Sequence, residues 1–469
     1  MRIIFLILFF GFNTIPSFTQ YQLGMRLEKN AGMYGISINP SQNIFNSNKW
    51  DIHLGSAGLF VQNNYLYFKE THLLRLFRNR ESLIVVDDKL SEKDNVVEVG
   101  YVDNVASRFL QARVFVTGPA IGFQFKKNQS IGCFIQLRSG LSATNIPNEF
   151  SYDKITKRKH FDPFRASEFG SAGMNWLELG ANYAYLKVDK YKNAIGIGAN
   201  IKYIIGYDMA FGNSLRNYQH AVTGENDFQM ESPHLAFGYS GMNDLGKSVH
   251  GKGAGIDIGV SYAKNTKNGD FEYKAGVALI DLGFVRFSRD IRTYDFISDS
   301  TISVFGKDYQ NLTSIDGLQG LSDVFIQNAI GQKKELTTGN KKTILLPFSI
   351  SAQFDYKLKK SVYIHTLIIQ PVSMSDFRIR GVHLISLTPR YETNWYSFSL
   401  PVSLIEKRIF NIGLAARLGF LTIGSDNIVS IFSKSNFYGS DIFAGVKFGF
   451  GKKDTRKTFK SNIDDCFQF

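Results

Sequence analysis

Cysteine is nearly absent, with only Cys133 and Cys466 in 469 residues. Two lone thiols build neither a disulfide framework nor a metal site, so no metal and no cofactor is expected. Cys133 keeps phase with Ile131, Ile135 and Leu137 on an apolar face and reads as a small hydrophobe. Long apolar runs are missing as well. The longest, Ile3 to Phe12, falls far short of the roughly 20 residues a spanning helix needs. A mature chain that crosses a membrane must then do so as a closed barrel. The short motifs of catalysis are also lacking: no His-x-x-x-His, Gly-x-Ser-x-Gly or Cys-x-x-Cys occurs, no glycine-rich phosphate loop precedes a helix, and the eight histidines are scattered. No enzyme is expected. The net charge of +13 is dispersed, which suits anionic lipid phosphates and gives no nucleic-acid recognition motif.

Proline is scarce, ten residues against 42 glycines, 41 phenylalanines and 22 tyrosines, a balance that suits pleated strands. The mean hydropathy of −0.12 excludes a helical membrane protein but not a barrel, in which half of every strand is polar. Strict alternation supplies the positive signal. Trp50, Ile52 and Leu54 alternate with Asp51, His53 and Gly55; Ile256, Ile258, Val260 and Tyr262 alternate with Asp257, Gly259 and Ser261. Ile350, Ala352, Phe354 and Tyr356 stand against Ser351, Gln353, Asp355 and Lys357, and Ile442 to Phe450 repeat the rhythm. Similar segments fall near 108–125, 129–142, 174–188, 193–207, 270–287, 361–371, 381–391, 394–405, 408–418 and 419–425. With the strand at 50–62 they predict an all-β, transmembrane antiparallel barrel of about 14 strands. Twelve remains the alternative, because the break at Leu418-Gly419 is slight.

Long connections (63–106, 143–173, 208–252, 288–342) alternate with short turns at Lys126 to Asn128, Asp189 to Tyr191, Asn268-Gly269 and Leu358 to Lys360. Outer-membrane barrels segregate their loops in this way, with tight turns on the periplasmic rim and long loops outside. Aromatic residues near strand ends, Trp50, Tyr65, Tyr67, Trp176, Trp395 and Tyr396, are candidates for interface girdles. At the N-terminus, Met1-Arg2, the apolar run and the small residues Ser17 and Thr19 describe a signal peptide over 1–19. A periplasmic or plug-like segment (20–48), the barrel (49–450) and a basic tail (451–469) complete the expected organisation, with the outer membrane as location.

Several stretches together resemble a Bacteroidota outer-membrane barrel family with a domain of unknown function. They are "SINPSQNIFNSNKWDIHL", "GPAIGFQF", "WLELGANYAYL", "GAGIDIGVSYAK" with "AGVALIDLGFVRF", "TPRYETNWYSFSLPVSL", and "GLAARLGFLTIGSDNI" with "GSDIFAGVKFGF". The most specific are Pro389-Arg390-Tyr391-Glu392 and the block from Gly413 to Asn427. That family is distantly similar to fatty-acid-transporter (FadL) and type IX secretion shuttle barrels, which carry Asn-Pro-Ala near the N-terminus. Here Asn39-Pro40 is followed by Ser41. The resemblance implies fold and location and brings no activity.

Alternation also assigns the lumen face. Candidate lumen or ligand-path residues are Asp51, His53, Arg113, Arg138, Glu178, Lys202, Asp257, Asp355, His365, His383, Arg417 and Lys447, together with Gln111, Gln136, Asn182, Asn200 and Gln353. Such mixed charges either neutralise one another across the bore or line a path for a ligand. Asn39 and Pro40 would make the turn of a plug built from "GMYGISI" and its neighbours. Helices are expected in "THLLRLFRNR" and along Leu318, Leu321, Phe325 and Ala329, either as a lid or as loop cores. The basic run Asp153 to His160 would meet lipopolysaccharide phosphates or simply be solvated. The leading expectation is passage or capture of a small amphipathic molecule by a porin-like barrel. The alternative is a structural or docking part of an envelope or secretion complex, with partner proteins at its loops.

Overall fold

The structure, a computed structural model, describes residues 21–78, 83–85, 96–102, 105, 107–150, 158–224, 227–242, 246–264, 270–309, 317–330 and 335–452. The expected signal peptide, most of the basic tail with Cys466, the turn at Asn268-Gly269 and residues 153–157 of the basic run lie outside them.

Fourteen antiparallel strands close into one barrel. They are β1 (Asn48–Asn63), β2 (Phe109–Lys126), β3 (Gln129–Thr144), β4 (Phe169–Val188) and β5 (Ala194–Ser214). Next come β6 (His234–Ser240, continued by Gly251–Lys264), β7 (Tyr273–Phe287, continued by Ile291–Ile297) and β8 (Glu335–Gly339, Lys342–Leu345 and Ser349–Lys359). The remainder are β9 (Val362–Pro371), β10 (Leu384–Glu392), β11 (Tyr396–Ser399 and Val402–Ile405), β12 (Ile409–Ile412 and Leu414–Leu418), β13 (Leu421–Ser425) and β14 (Gly439–Lys452). Strand β1 pairs with β14, Trp50 opposite Phe450 and Ile52 opposite Phe448, so no edge remains open in the bilayer. The slight break at Leu418-Gly419 is a true hairpin: Leu418 pairs with Leu421, and Gly419 takes φ +59° to make the turn.

The alternation sorts as a membrane barrel requires. Ile195, Ile197, Ile201 and Tyr203 on β5, Ile258 and Val260 on β6, and Val277 and Leu279 on β7 are exposed on the outer face. Their alternate neighbours Asn200, Lys202, Asp257 and Ser261 are buried inside. No helix among the described residues is long and apolar enough to span a membrane.

Strands β4 to β8 run farther than the alternation suggested, into stretches expected to be loops. Past the apolar belt both faces of a strand are polar or packed under loops, and the period-2 contrast fades. At this long-loop end the strands Phe164–Ala166, Tyr218–Val222, Phe228–Glu231 and Thr301–Val304 form a separate sheet, closed by Met230, Phe296 and Ile302. Leu66–Thr71 pairs with Val96–Tyr101 and Ser435–Phe437 in a second outer sheet. Helices Leu73–Arg78 and Gly317–Ile330 occupy the two loops where helical spacing was read.

Two girdle assignments fail. Trp176 is 1% exposed and points into the lumen, on the same face of β4 as Glu178, which its even position already required. Tyr65 is buried with Leu66 and Val99 in the outer loops. Trp50, Trp395 and Tyr396 do lie exposed near the short-turn end.

Candidate functional site in the lumen

Eleven of the twelve candidates lie at inward-facing positions of their strands, and His383 stands at the long-loop rim just before β10. The chain from Tyr21 to Ser47 fills the space between them. It is three short helical pieces, Leu23–Arg26, Gly32–Ser37 and Gln42–Phe45, almost wholly buried inside the barrel. Its own backbone is too short to be self-sufficient, and wall side chains satisfy it. Asn39 Nδ2 donates to Ser261 Oγ (3.1 Å), and Asn182 Nδ2 donates to the Pro40 carbonyl (3.1 Å). Asn200 Nδ2 donates to the Ile36 carbonyl (3.1 Å), and Gln353 Nε2 to that of Ile38 (3.2 Å). The Asn39-Pro40 turn touches the wall where the wall has no side chain. A Cβ on Gly259 would lie 2.2 Å from Asn39 Oδ1, and one on Gly198 2.5 Å from the Pro40 and Ser41 backbone.

The charges gather in groups. At the centre, Arg138 reaches Glu178 (2.9 Å) and Asp281 (2.7 Å), while Lys202 reaches Asp257 and Asp281 (2.8 Å each). Trp176 Nε1 donates to Glu178 at 2.8 Å. Around the short-turn end, Arg390 holds Asp355 (2.7 Å) and Glu392 (3.1 Å), with His365 Nδ1 3.7 Å from Asp355. Lys447 lies 3.2 Å from Asp51, beside His53 at 3.4 Å, and Asp51 accepts the Met33 amide at 2.7 Å. Arg417 holds Glu28 of the inner segment at 2.8 Å. Each group therefore ties a wall carboxylate or cation to the segment or to the opposite wall.

Several members were not read from the sequence. Arg390 and Glu392 sit on the even, inward face of β10 and were legible by parity. Asp281 was not. Both Ile280 and Asp281 face inward, because Asp281 adopts φ +58° in mid-strand and breaks the alternation. The inward course of residues 372–383 left no signal beyond the loss of period. From the long-loop end this stretch first runs beside β8, where the Ile379 amide donates to the Leu345 carbonyl (3.1 Å). It is held to the inner wall by the Arg380 amide on Ser142 Oγ (3.0 Å), Gln111 Nε2 on the Gly381 carbonyl (3.4 Å) and Asn213 Nδ2 on the Asp376 carbonyl (3.3 Å). His383 sits at its end, its amide bonded to Glu406 (3.1 Å), apart from the other candidates.

Between the two inserted stretches lies a central cavity of about 70 Å³, bordered by Arg26, Arg113, Arg138, Lys202, Asp281 and Ile379. At ~10–15 Å³ per water it holds only a few. A second, apolar hollow of about 380 Å³ opens on the lipid side, against Ile256, Leu282, Phe284, Phe348 and Met374, with Arg378 at its border. The two are back to back. Asp281, Pro347 and Ile379 face the cavity; their chain neighbours Leu282, Leu346 and Arg378 face the hollow. The wall there is one residue thick, and its ladder is interrupted. Strands β7 and β8 pair from Tyr273–Tyr356 to Ile280–Ser349 and again from Phe284–Leu345. Between them residues 281–283 stand opposite 346–348 out of regular register, joined by the Leu346 amide to Gly283 carbonyl bond (3.0 Å). Among the described residues no cluster of three or more His, Cys, Asp or Glu could hold a metal.

The profile of a family of unknown function, DUF5723, matches residues 42–426. Among solved structures the chain is similar to a deletion mutant of the monoaromatic hydrocarbon channel TodX (9% identity, 89% of this chain and 94% of that one, TM-score 0.40). It is also similar to the Ralstonia pickettii toluene transporter TbuX (6%, 90% and 95%, TM-score 0.31) and to a Pseudomonas aeruginosa FadL homologue (8%, 93% and 99%, TM-score 0.27). No curated protein matches the sequence.

Proposed function

The chain belongs to this family of unknown function (DUF5723), and we propose that it passes or captures a small amphipathic molecule at the outer membrane, sideways through its wall. The observation that carries this reading is the thin, sparsely paired seam between β7 and β8, crossed in its gap by the Leu346 amide to Gly283 carbonyl bond (3.0 Å), with an apolar hollow outside and a polar cavity inside. An axial path is filled from both ends, and a cavity of about 70 Å³ admits no whole ligand. A molecule that arrives in the outer leaflet can lay its tail in the lipid-side hollow. Its head can then enter the lumen if residues 281–283 and 346–348 part, which breaks few ladder bonds.

In this reading residues 1–19 are a removed signal peptide, 20–48 a plug, 49–450 the barrel and 451–469 a periplasmic tail. The eleven inward-facing candidates then serve mainly to fix the plug, with Arg113, Arg138, Lys202 and Asp257 bordering the path. Lipids of the outer membrane, lipopolysaccharide included, are its surroundings and a small amphiphile its ligand.

The filled lumen favours a second reading, a docking part of an envelope complex with no transport. The exposed Leu74, Val429 and Phe432 at the long-loop end would be its apolar contact. Uptake separates the two. In liposomes carrying lipopolysaccharide, the protein should speed entry of a fluorescent eight-carbon carboxylate while staying electrically silent in planar bilayers. Uptake no faster than in protein-free liposomes refutes passage and leaves capture or docking; discrete conductance steps at rest refute the filled lumen.

A further inference from the structure

Two of the cations at the central cavity have no carboxylate in ion-pair contact. Four cations border it, Arg26, Arg113, Arg138 and Lys202. The three acids in ion-pair contact there, Glu178, Asp257 and Asp281, are all engaged by Arg138 and Lys202. Asp426 acts on Arg26, and Glu406, itself paired with Arg380, acts on Arg113, only from beyond ion-pair distance. Arg26 and Arg113 have only neutral partners. Arg26 donates from Nε to Gln22 Oε1 (3.1 Å) and from Nη1 to Ser37 Oγ (2.6 Å), and its guanidinium lies 4.3 Å over the Phe115 ring. Arg113 donates to the Arg380 carbonyl, while its buried Nε has no partner. Arg26 is 8% exposed and Arg113 7%.

Neutral acceptors satisfy hydrogen bonds but do not cancel charge, and a buried cation without an ion pair is costly. A structure that keeps two of them on one cavity has a use for the field they make.

We propose that Arg26 and Arg113 form an anion subsite in the central cavity, which takes the carboxylate or phosphate head of an amphiphile. The inference rests on the passage reading for how the amphiphile arrives. Size agrees with it. The cavity suits a head group alone, and the tail would remain toward the lipid-side hollow, whose volume is about five times larger (380 against 70 Å³). The two arginines also belong to different bodies, Arg26 to the inner segment and Arg113 to the wall of β2. An anion between them would compete with the Arg380 carbonyl for Arg113 and so loosen the inserted stretch 372–383.

Trp176, at the cavity, reports binding. In the full-length protein bearing Trp50→Phe and Trp395→Phe it is the sole tryptophan, and its emission is followed in neutral maltoside detergent. Octanoate or octyl phosphate should shift the emission saturably, with 1-octanol and acetate each at least tenfold weaker. Arg113→Gln and Arg26→Gln should each weaken octanoate tenfold or more, and Arg113→Lys less. Octanol or acetate binding as tightly as octanoate overturns the proposal, as does undiminished octanoate binding by both glutamine variants. If one glutamine variant fails to form a heat-modifiable barrel, the other decides. The passage reading fails separately: octanoate bound but not taken up keeps the subsite and refutes transport, whereas uptake with no preference for the anion does the reverse.

Discussion

Asp281 binds Arg138 through both carboxylate oxygens, at 2.7 and 2.8 Å, from a mid-strand backbone held at φ +58°. A left-handed residue other than glycine costs about 1–2 kcal/mol and persists only when its surroundings hold it. Arg138, Lys202 and the Asp257 carboxylate, which accepts the Asp281 amide at 2.7 Å, do so here. One ionic cluster thereby fixes the bulge that interrupts the seam.

Asp281→Ala should therefore lower barrel stability by about 3–5 kcal/mol, the cost of opening a buried ion pair. Asp281→Gly should lose about 1 kcal/mol less, because glycine adopts the same backbone freely. Unfolding in detergent, followed by the gel shift between folded and heated forms, measures both. Equal losses would mean that the backbone there is unstrained.

Gly198→Ala and Gly259→Ala should leave the barrel closed but expel the Asn39-Pro40 turn, since each new methyl would overlap it. The expected outcome is an unchanged gel shift, faster proteolysis within residues 21–47, and channel events in planar bilayers where the parent protein shows none. A protected segment in both variants would show that the turn yields without leaving.

His220 carries a pH prediction for the outer sheet. Burial, and next the Arg158 charge, push its pKa down to about 4, and it stacks on Phe228 at 5.1 Å between ring centres. A depressed histidine is neutral when folded and charged when unfolded below its ordinary value of about 6.5. Its contribution is therefore whole above pH ~6.5 and lost as pH falls toward 4. Proteolysis of the outer loops should quicken across that window, and His220→Phe should flatten the profile. A wild-type profile flat from pH 7 to 4 would contradict this.

How legible this was depends on where each residue stands. Where bilayer and bore impose opposite solvents on one strand, parity alone placed Asp51, Lys202 and Asp257 correctly inside and Ile258 and Val260 outside. The region matched to the family contains blocks such as "GAGIDIGVSYAK", on which the resemblance rests in the sequence. Parity says nothing about partners. That Lys202 meets Asp281 rather than Glu392 depends on barrel shear and on an inner segment with no period of its own. Asp281 escaped because one left-handed residue shifts the phase of its strand. Trp176 was misread because an aromatic near a strand end suggested an interface, although its parity with Glu178 already pointed inward. The outer sheets escaped because above the membrane both faces meet similar surroundings.

The sideways path is tested most directly by stapling the seam. In a Cys133→Ser, Cys466→Ser background, Phe284→Cys and Leu345→Cys place thiols on directly opposed residues at its upper end. Oxidation should slow uptake of the eight-carbon carboxylate into lipopolysaccharide-bearing liposomes at least fivefold, and a reductant should restore it. Uptake unchanged by the closed disulfide would contradict passage through the wall.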